Sequence, residues 1–160
     1  MKDTAQHLRN VVAEAYPVLQ GLTETEVSEK TDPKKWSKKE ILGHLIDSAC
    51  NNQQKFVRTM AQPHFDFVGY AQNHWVNAQH YQTQDWLELL TFWKTYNLHL
   101  AHCIENVEES LLQNTLTIEG VGPFTLGFIM ADYVEHLKHH LRQILPDFPL
   151  QSTFQNVYGA

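Results

Sequence analysis

Ten histidines stand in this chain of 160 residues, and three of them have types and spacing that metal chemistry uses. His136, His139 and His140 crowd one segment, LGFIMADYVEHLKHHLRQIL, while His44 lies in another, KKEILGHLIDSA. Projected at about 100° per residue and measured from His136, the apolar side chains Ile129, Met130, Tyr133, Leu137, Leu141 and Ile144 cover an arc from about 20° to 140°. His136 sits on the edge of that arc and His140 falls inside it at about 40°, whereas His139 lies about 60° to the polar side and is predicted to face water. Imidazoles at i and i+4 lie one above the other and can share one divalent ion, with a plainer alternative as amphipathic side chains bordering a core. His44 falls about 60° outside Ile41, the border of its own segment's apolar face, on a narrow polar stripe with Ser48 and Asn51. If the two helices are neighbours, His44, His136 and His140 supply three nitrogens and leave one position for water or substrate, as catalytic sites do.

Other metal and nucleophile patterns fit poorly. A zinc-protease helix needs glutamate directly after its first histidine, and here Leu137 follows His136 while Glu135 precedes it. Glu40 and Glu135 do not make the repeated Glu-x-x-His pairs of a di-iron bundle. No G-x-S-x-G, P-loop or G-x-G-x-x-G is present. Cys50 and Cys103 belong to no C-x-x-C pair and read as reduced core thiols.

The elements that must position the histidines are predicted to be four helices. The first runs from about Thr4 to Leu19, with Leu8, Val11, Val12, Ala15 and Leu19 on one side and Gly21 beyond its end. Thr23 to Trp36 is a polar connector. Ser37-Lys38-Lys39-Glu40 is a capping box that starts the second helix, whose apolar face (Ile41, Leu42, Leu45, Ile46, Ala49, Phe56) fades near Met60 before Pro63. Gln62 to Gln84 is a long aromatic-rich loop between helices two and three, of a length found in lids and binding loops. The third helix spans about Asp85 to Asn106, with Leu89, Leu90, Trp93, Leu100 and Ile104 as core. Leu116 to Phe124 reads as a short hairpin, and Thr125 caps a fourth helix that stops at Leu145 before Pro146. The expected fold is therefore all-α, an antiparallel four-helix bundle in a single domain over 1–160, with its core at about 4–145 and a C-terminal tail at 146–160.

Composition narrows the functions. Hydrophobic residues make up 42% and charged residues 19%, ordinary for a chain that buries a core. A formal charge of −6 and a pI near 5.9 argue against nucleic acid as a partner. No window approaches the ~20 apolar residues needed to cross a bilayer, and the N-terminus lacks the apolar stretch of a secretory signal, so a cytoplasmic protein is expected.

The Trp36-Ser37 pair, KKEILGHLIDSA with its trailing Asn51-Asn52, and the distant DYVEHLKHHLRQIL together resemble the DinB-like superfamily of metalloenzymes. Gly69-Tyr70, Gln72, Trp75, Tyr81, Trp93 and Asn97 occur in the order found in one branch, so the resemblance runs from about Leu8 to Leu145. It implies a four-helix bundle, commonly a homodimer, with one metal ion on His44, His136 and His140. Zinc or nickel is the first expectation for that ion, iron or manganese the next. It further implies a small-molecule substrate and chemistry akin to thiol-dependent S-transfer, with a low-molecular-weight thiol as partner. Where that branch tends to read Tyr-Asp-Gln-Asp, this chain has Tyr70-Ala71-Gln72-Asn73, two carboxylates fewer.

Asp47, Asn51 and Asp132 are candidates to orient an imidazole through its second nitrogen, and Tyr70, Trp75 and Tyr81 to wall a pocket. Each has a plainer reading as a helix-surface or core residue. His64, His74 and His80 fall in the long loop, where a general base is one reading and a surface role the other. Two function classes stay open: a metal-dependent transferase or hydrolase, and a non-catalytic metal-binding or stress-associated dimeric module.

Overall fold

Two capping boxes fall within the chain's first forty residues. In the computed structural model, which describes residues 1–158, Thr23 and Glu26 cap each other at the start of α2 (Glu24–Ser28), and Ser37 and Glu40 do so at the start of α3 (Lys38–Met60). Each serine or threonine oxygen accepts an otherwise orphaned amide while the glutamate reaches back to the cap's own N–H. Short α2 lies inside the stretch expected to be only a connector. α1 (Lys2–Gln20), α3, α5 (Trp86–Glu105) and α6 (Leu126–Ile144) are the four long helices, each burying the apolar face its periodicity predicts, and α3 is buried on all sides from Lys39 to Ala49. None of the helices among the described residues is long and apolar enough to cross a membrane.

Helix directions differ from the expected antiparallel series. α1 runs against α5: Arg9 pairs with Glu105 at 2.6 Å, and Trp86 Nε1 donates to Leu19 O at 3.0 Å. α3 runs against α6, with His44 beside His140 and Phe56 against Tyr133. α3 and α5, however, run parallel: Lys39 Nζ donates to Gln84 O at 2.8 Å near both starts, and Tyr96 Oη donates to Gln53 Oε1 at 2.6 Å further along. Two parallel neighbours require a connection that travels back along the helix, about 35 Å for 23 residues. The stretch from 62 to 84 is that crossover.

The crossover is structured rather than a loop. It holds β1 (His64–Phe67), α4 (Gln72–Ala78) and a 3₁₀ turn at Tyr81–Thr83. β1 pairs in parallel with β2 (Thr115–Ile118), which forms the expected hairpin with β3 (Val121–Thr125), so the fold is mostly helical with a three-stranded sheet and not strictly all-α. The sheet sits past the end of α3, where Asn114 Nδ2 donates to Thr59 O at 2.9 Å. Beyond Leu145 the tail folds back on α6: Leu150 is buried, and Ser152 Oγ donates to Glu135 O at 2.8 Å.

Candidate metal centre

The Ser37 capping box places His44 about two turns into α3, facing α6. Its side chain is fully buried, and neither Nδ1 nor Nε2 has a hydrogen-bond partner. An imidazole nitrogen left unpaired in a dry interior costs about 1–3 kcal/mol, so a residue carrying two such atoms points to something else that uses them. His136 and His140 come up from α6 to meet it. The ring centroids stand 5.5 Å (His44–His136), 4.7 Å (His44–His140) and 4.6 Å (His136–His140) apart. One nitrogen of each ring lies within 4.8 Å of the other two, and among the described residues this is the cluster that could hold a metal ion.

Burial fixes the charge state of all three. It pushes His44 down to about 3, with the nearby His140 adding to the effect. His136 is held well below the ordinary imidazole range for the same reason, and His140 is lowered by burial although its Gln143 contact opposes this. Three neutral imidazoles are what a divalent ion requires of its ligands.

Two neighbours touch the outer nitrogens of the α6 pair. Gln143 Oε1 lies 3.0 Å from His140 Nδ1, so an amide oxygen there keeps the proton on Nδ1 and leaves the Nε2 lone pair free. Ser48 Oγ lies 3.4 Å from His136 Nδ1. Trp36 covers His44 with ring centroids 4.9 Å apart, and Phe154 of the tail covers His136 at 5.0 Å. His139, expected in water, is half-buried, its ring 5.5 Å from Phe154 and its Nε2 3.2 Å from Gln143 Nε2. The returning tail covers that flank of α6, which helix periodicity alone does not register.

The three polar residues expected to orient imidazoles make other bonds. Asp47 Oδ1 accepts from Tyr81 Oη at 2.7 Å and from Gln79 Nε2 at 2.6 Å, and burial raises its pKa despite both bonds. Asn51 Nδ2 donates to Asp47 O at 2.9 Å, and Asp132 accepts from Tyr158 Oη. Of the candidate wall residues, Tyr70 meets Trp75 at a tilt with ring centroids 5.0 Å apart and borders a small chamber of about 90 Å³ that reaches His136. Tyr81 is buried against α3, behind Asp47. His64 bonds Thr115 and Asp66 on the sheet, while His74 and His80 are exposed; none joins the cluster. Gln143, three residues past His140 and so on the same face of α6, was readable in the sequence. Phe154 lies in a stretch without periodicity and was not.

The family model of the DinB superfamily matches residues 7–144. Among solved structures, the chain is similar to YfiT from Bacillus subtilis, a probable metal-dependent hydrolase with an unusual four-helix bundle topology. The identity is 18% and the TM-score 0.82, covering 91% of this chain and 84% of that one. At that identity the likeness is one of fold. No curated protein matches.

Proposed function

The chain belongs to the DinB superfamily, and we propose that it is a divalent-metal-dependent enzyme acting on a small molecule, its ion held by His44, His136 and His140. The observation that carries this reading is the pair of buried, unpartnered nitrogens on His44, within reach of two further neutral imidazoles. A divalent ion on three neutral ligands keeps its full charge and supplies Lewis acidity, lowering the pKa of a water or thiol bound beside it.

The remaining work falls to the chain's own residues. Gln143 holds His140 in one tautomer and orientation, and Ser48 helps to orient His136. Trp36 and Phe154 close two sides of the cluster and exclude water there, which strengthens electrostatic interactions inside. The chamber at His136 leaves one approach for an exogenous nucleophile. Water in that position supports hydrolysis, the chemistry ascribed to YfiT, and a low-molecular-weight thiol supports S-transfer; both need the same activation step.

Metal analysis of protein purified without a nickel column is the first test. Near-stoichiometric metal, lost on His140→Ala, is expected, and a metal-free wild type that takes up no zinc, nickel or cobalt sinks the proposal. Cobalt-loaded protein then separates the reactions: a new sulfur-to-cobalt absorption band on adding small thiols favours S-transfer, and its absence favours hydrolysis.

A further inference from the structure

One basic side chain beside the cluster has no role in the reading above. Lys55 lies eleven residues after His44 on α3, a spacing that brings it back to within about 20° of the same helix face. Ser48 and Asn52 lie between them, so a polar stripe runs from His44 to the Lys55 ammonium. Ser48, Asn52 and Lys55 line one side of the 90 Å³ chamber, and Asp132 and His136 of α6 line the other. Tyr70, Gln72, Tyr158 and Lys55 also border an outer groove of about 580 Å³, so groove and chamber form one path that ends at His136.

Within that path no carboxylate among the described residues touches the ammonium, and Asp132 acts on it only at longer range. Lys55 makes no ion pair with a carboxylate among the described residues; its Nζ instead lies 5.2 Å from the Phe67 ring centroid and 5.7 Å from that of Tyr158. Asp132, the other charged group in the chamber, accepts from the Tyr158 hydroxyl, and burial raises its pKa. Glu119 stands on the outer rim and is exposed. Burial lowers Lys55 to about 8, with Asp132 opposing, so the amine is mostly charged at neutral pH. A half-buried cation over two aromatic faces, with Ser48, Asn52 and Gln72 as neutral neighbours and Asp132 bound to Tyr158 as the one carboxylate in the chamber, favours an oxyanion attached to an apolar body.

We propose that Lys55 is the substrate anchor of this site: its ammonium receives a carboxylate or phosphate of a small molecule whose body lies in the groove and whose reacting end reaches His136. The inference rests on the reading of the histidine triad as the reaction centre.

Calorimetric titration of cobalt-loaded and metal-stripped protein with benzoate, phenyl phosphate and the neutral benzamide tests it. At least one anion is expected to bind about tenfold or more tightly than benzamide. Lys55→Met, which keeps an unbranched side chain without the charge, is expected to remove that advantage while leaving benzamide unaffected, and Lys55→Arg to restore it. Whichever anion shows this dependence names the oxyanion. Should Lys55→Met fail to fold by circular dichroism, Lys55→Gln carries the same expectation. Anion affinity equal to that of benzamide, anion affinity that survives loss of the lysine, or no binding of any probe overturns the anchor. Metal content of the same samples keeps the two readings apart. A wild type that holds no metal but binds the anion through Lys55 removes the triad reading alone, and full metal loading with lysine-independent binding removes the anchor alone.

Discussion

The ring of Tyr81 rests on the backbone of Gly43 so closely that a Cβ at position 43 would stand 2.1 Å from its Cδ2. The contact holds the returning crossover against α3 one residue from His44, with the phenol donating to Asp47 at 2.7 Å. Gly43→Ala must expel the ring, and the overpacking is expected to cost about 3 kcal/mol in urea unfolding. Tyr81→Ala in the same background should recover part of that loss, so the double-mutant cycle yields a coupling of about 1 kcal/mol or more. Strict additivity would show that the crossover is not seated through this contact.

His44 is a residue the fold keeps against its own stability. Replacing it with leucine removes two unpaired buried nitrogens, so metal-free His44→Leu is expected to be about 1–2 kcal/mol more stable than metal-free wild type. The order should invert with metal present. A ligand at a hundred times its Kd adds about 2.7 kcal/mol to the state that binds it, and only the wild type has the complete triad. Paired melting curves with and without zinc read both halves. A metal-free leucine variant less stable than wild type would contradict the view that the imidazole is retained for a ligand.

Acid should weaken the metal-free fold through the same three rings. Burial lowers His44 to about 3 and depresses His136 and His140, while an unfolded histidine titrates near 6.5. The unfolded chain therefore binds more protons below about 6.5, and the stability these rings contribute, complete above that pH, drains away as pH falls toward their folded values. Asp47 and Asp132, raised by burial, act in the opposite sense closer to the carboxylate range. Between pH 7 and pH 5 the histidines should dominate, so the urea midpoint is expected to fall, and to fall less in His44→Leu. Identical slopes in the two proteins would remove His44 as a cause.

How much of this was legible in the sequence depends on whether the signal was periodic. The four long helices were: α1, α5 and α6 each bury one stripe, and three of the four start at a side-chain cap, as at Ser37–Glu40 and Thr125. His136 and His140 were selected by a spacing of four, and His44 by its place on a polar stripe beside an apolar face. Helix direction was not legible: the length of the 62–84 connection was visible, but that it joins parallel helices emerges only from contacts such as Lys39 with Gln84. Four-residue β1 carries too little alternation to be read alone and depends on pairing with a strand 51 positions away, His64 with Thr115. The tail after Pro146 has no period at all, yet it delivers Phe154 to the metal cluster.

That tail makes the last prediction. Glu135 holds it, accepting from Thr153 N at 2.7 Å with its side chain and from Ser152 Oγ at 2.8 Å with its carbonyl, and Phe154 is thereby laid across His136 and His139. The ring covers one side of the triad without supplying a ligand, so it should govern how readily the ion exchanges more than how tightly it binds. Phe154→Ala is expected to cost about 1 kcal/mol of stability, the scale for a half-buried aromatic on the surface. Removal of bound zinc by an excess of chelator, followed by a colorimetric indicator, should accelerate about tenfold, while the equilibrium constant shifts by less than that factor. Trp36 covers the opposite, fully buried partner His44 and so provides the control: in Phe154→Ala its fluorescence response to metal should persist. Chelation at the wild-type rate in Phe154→Ala would show that solvent reaches the cluster by another route, with the chamber beside His136 as the remaining path.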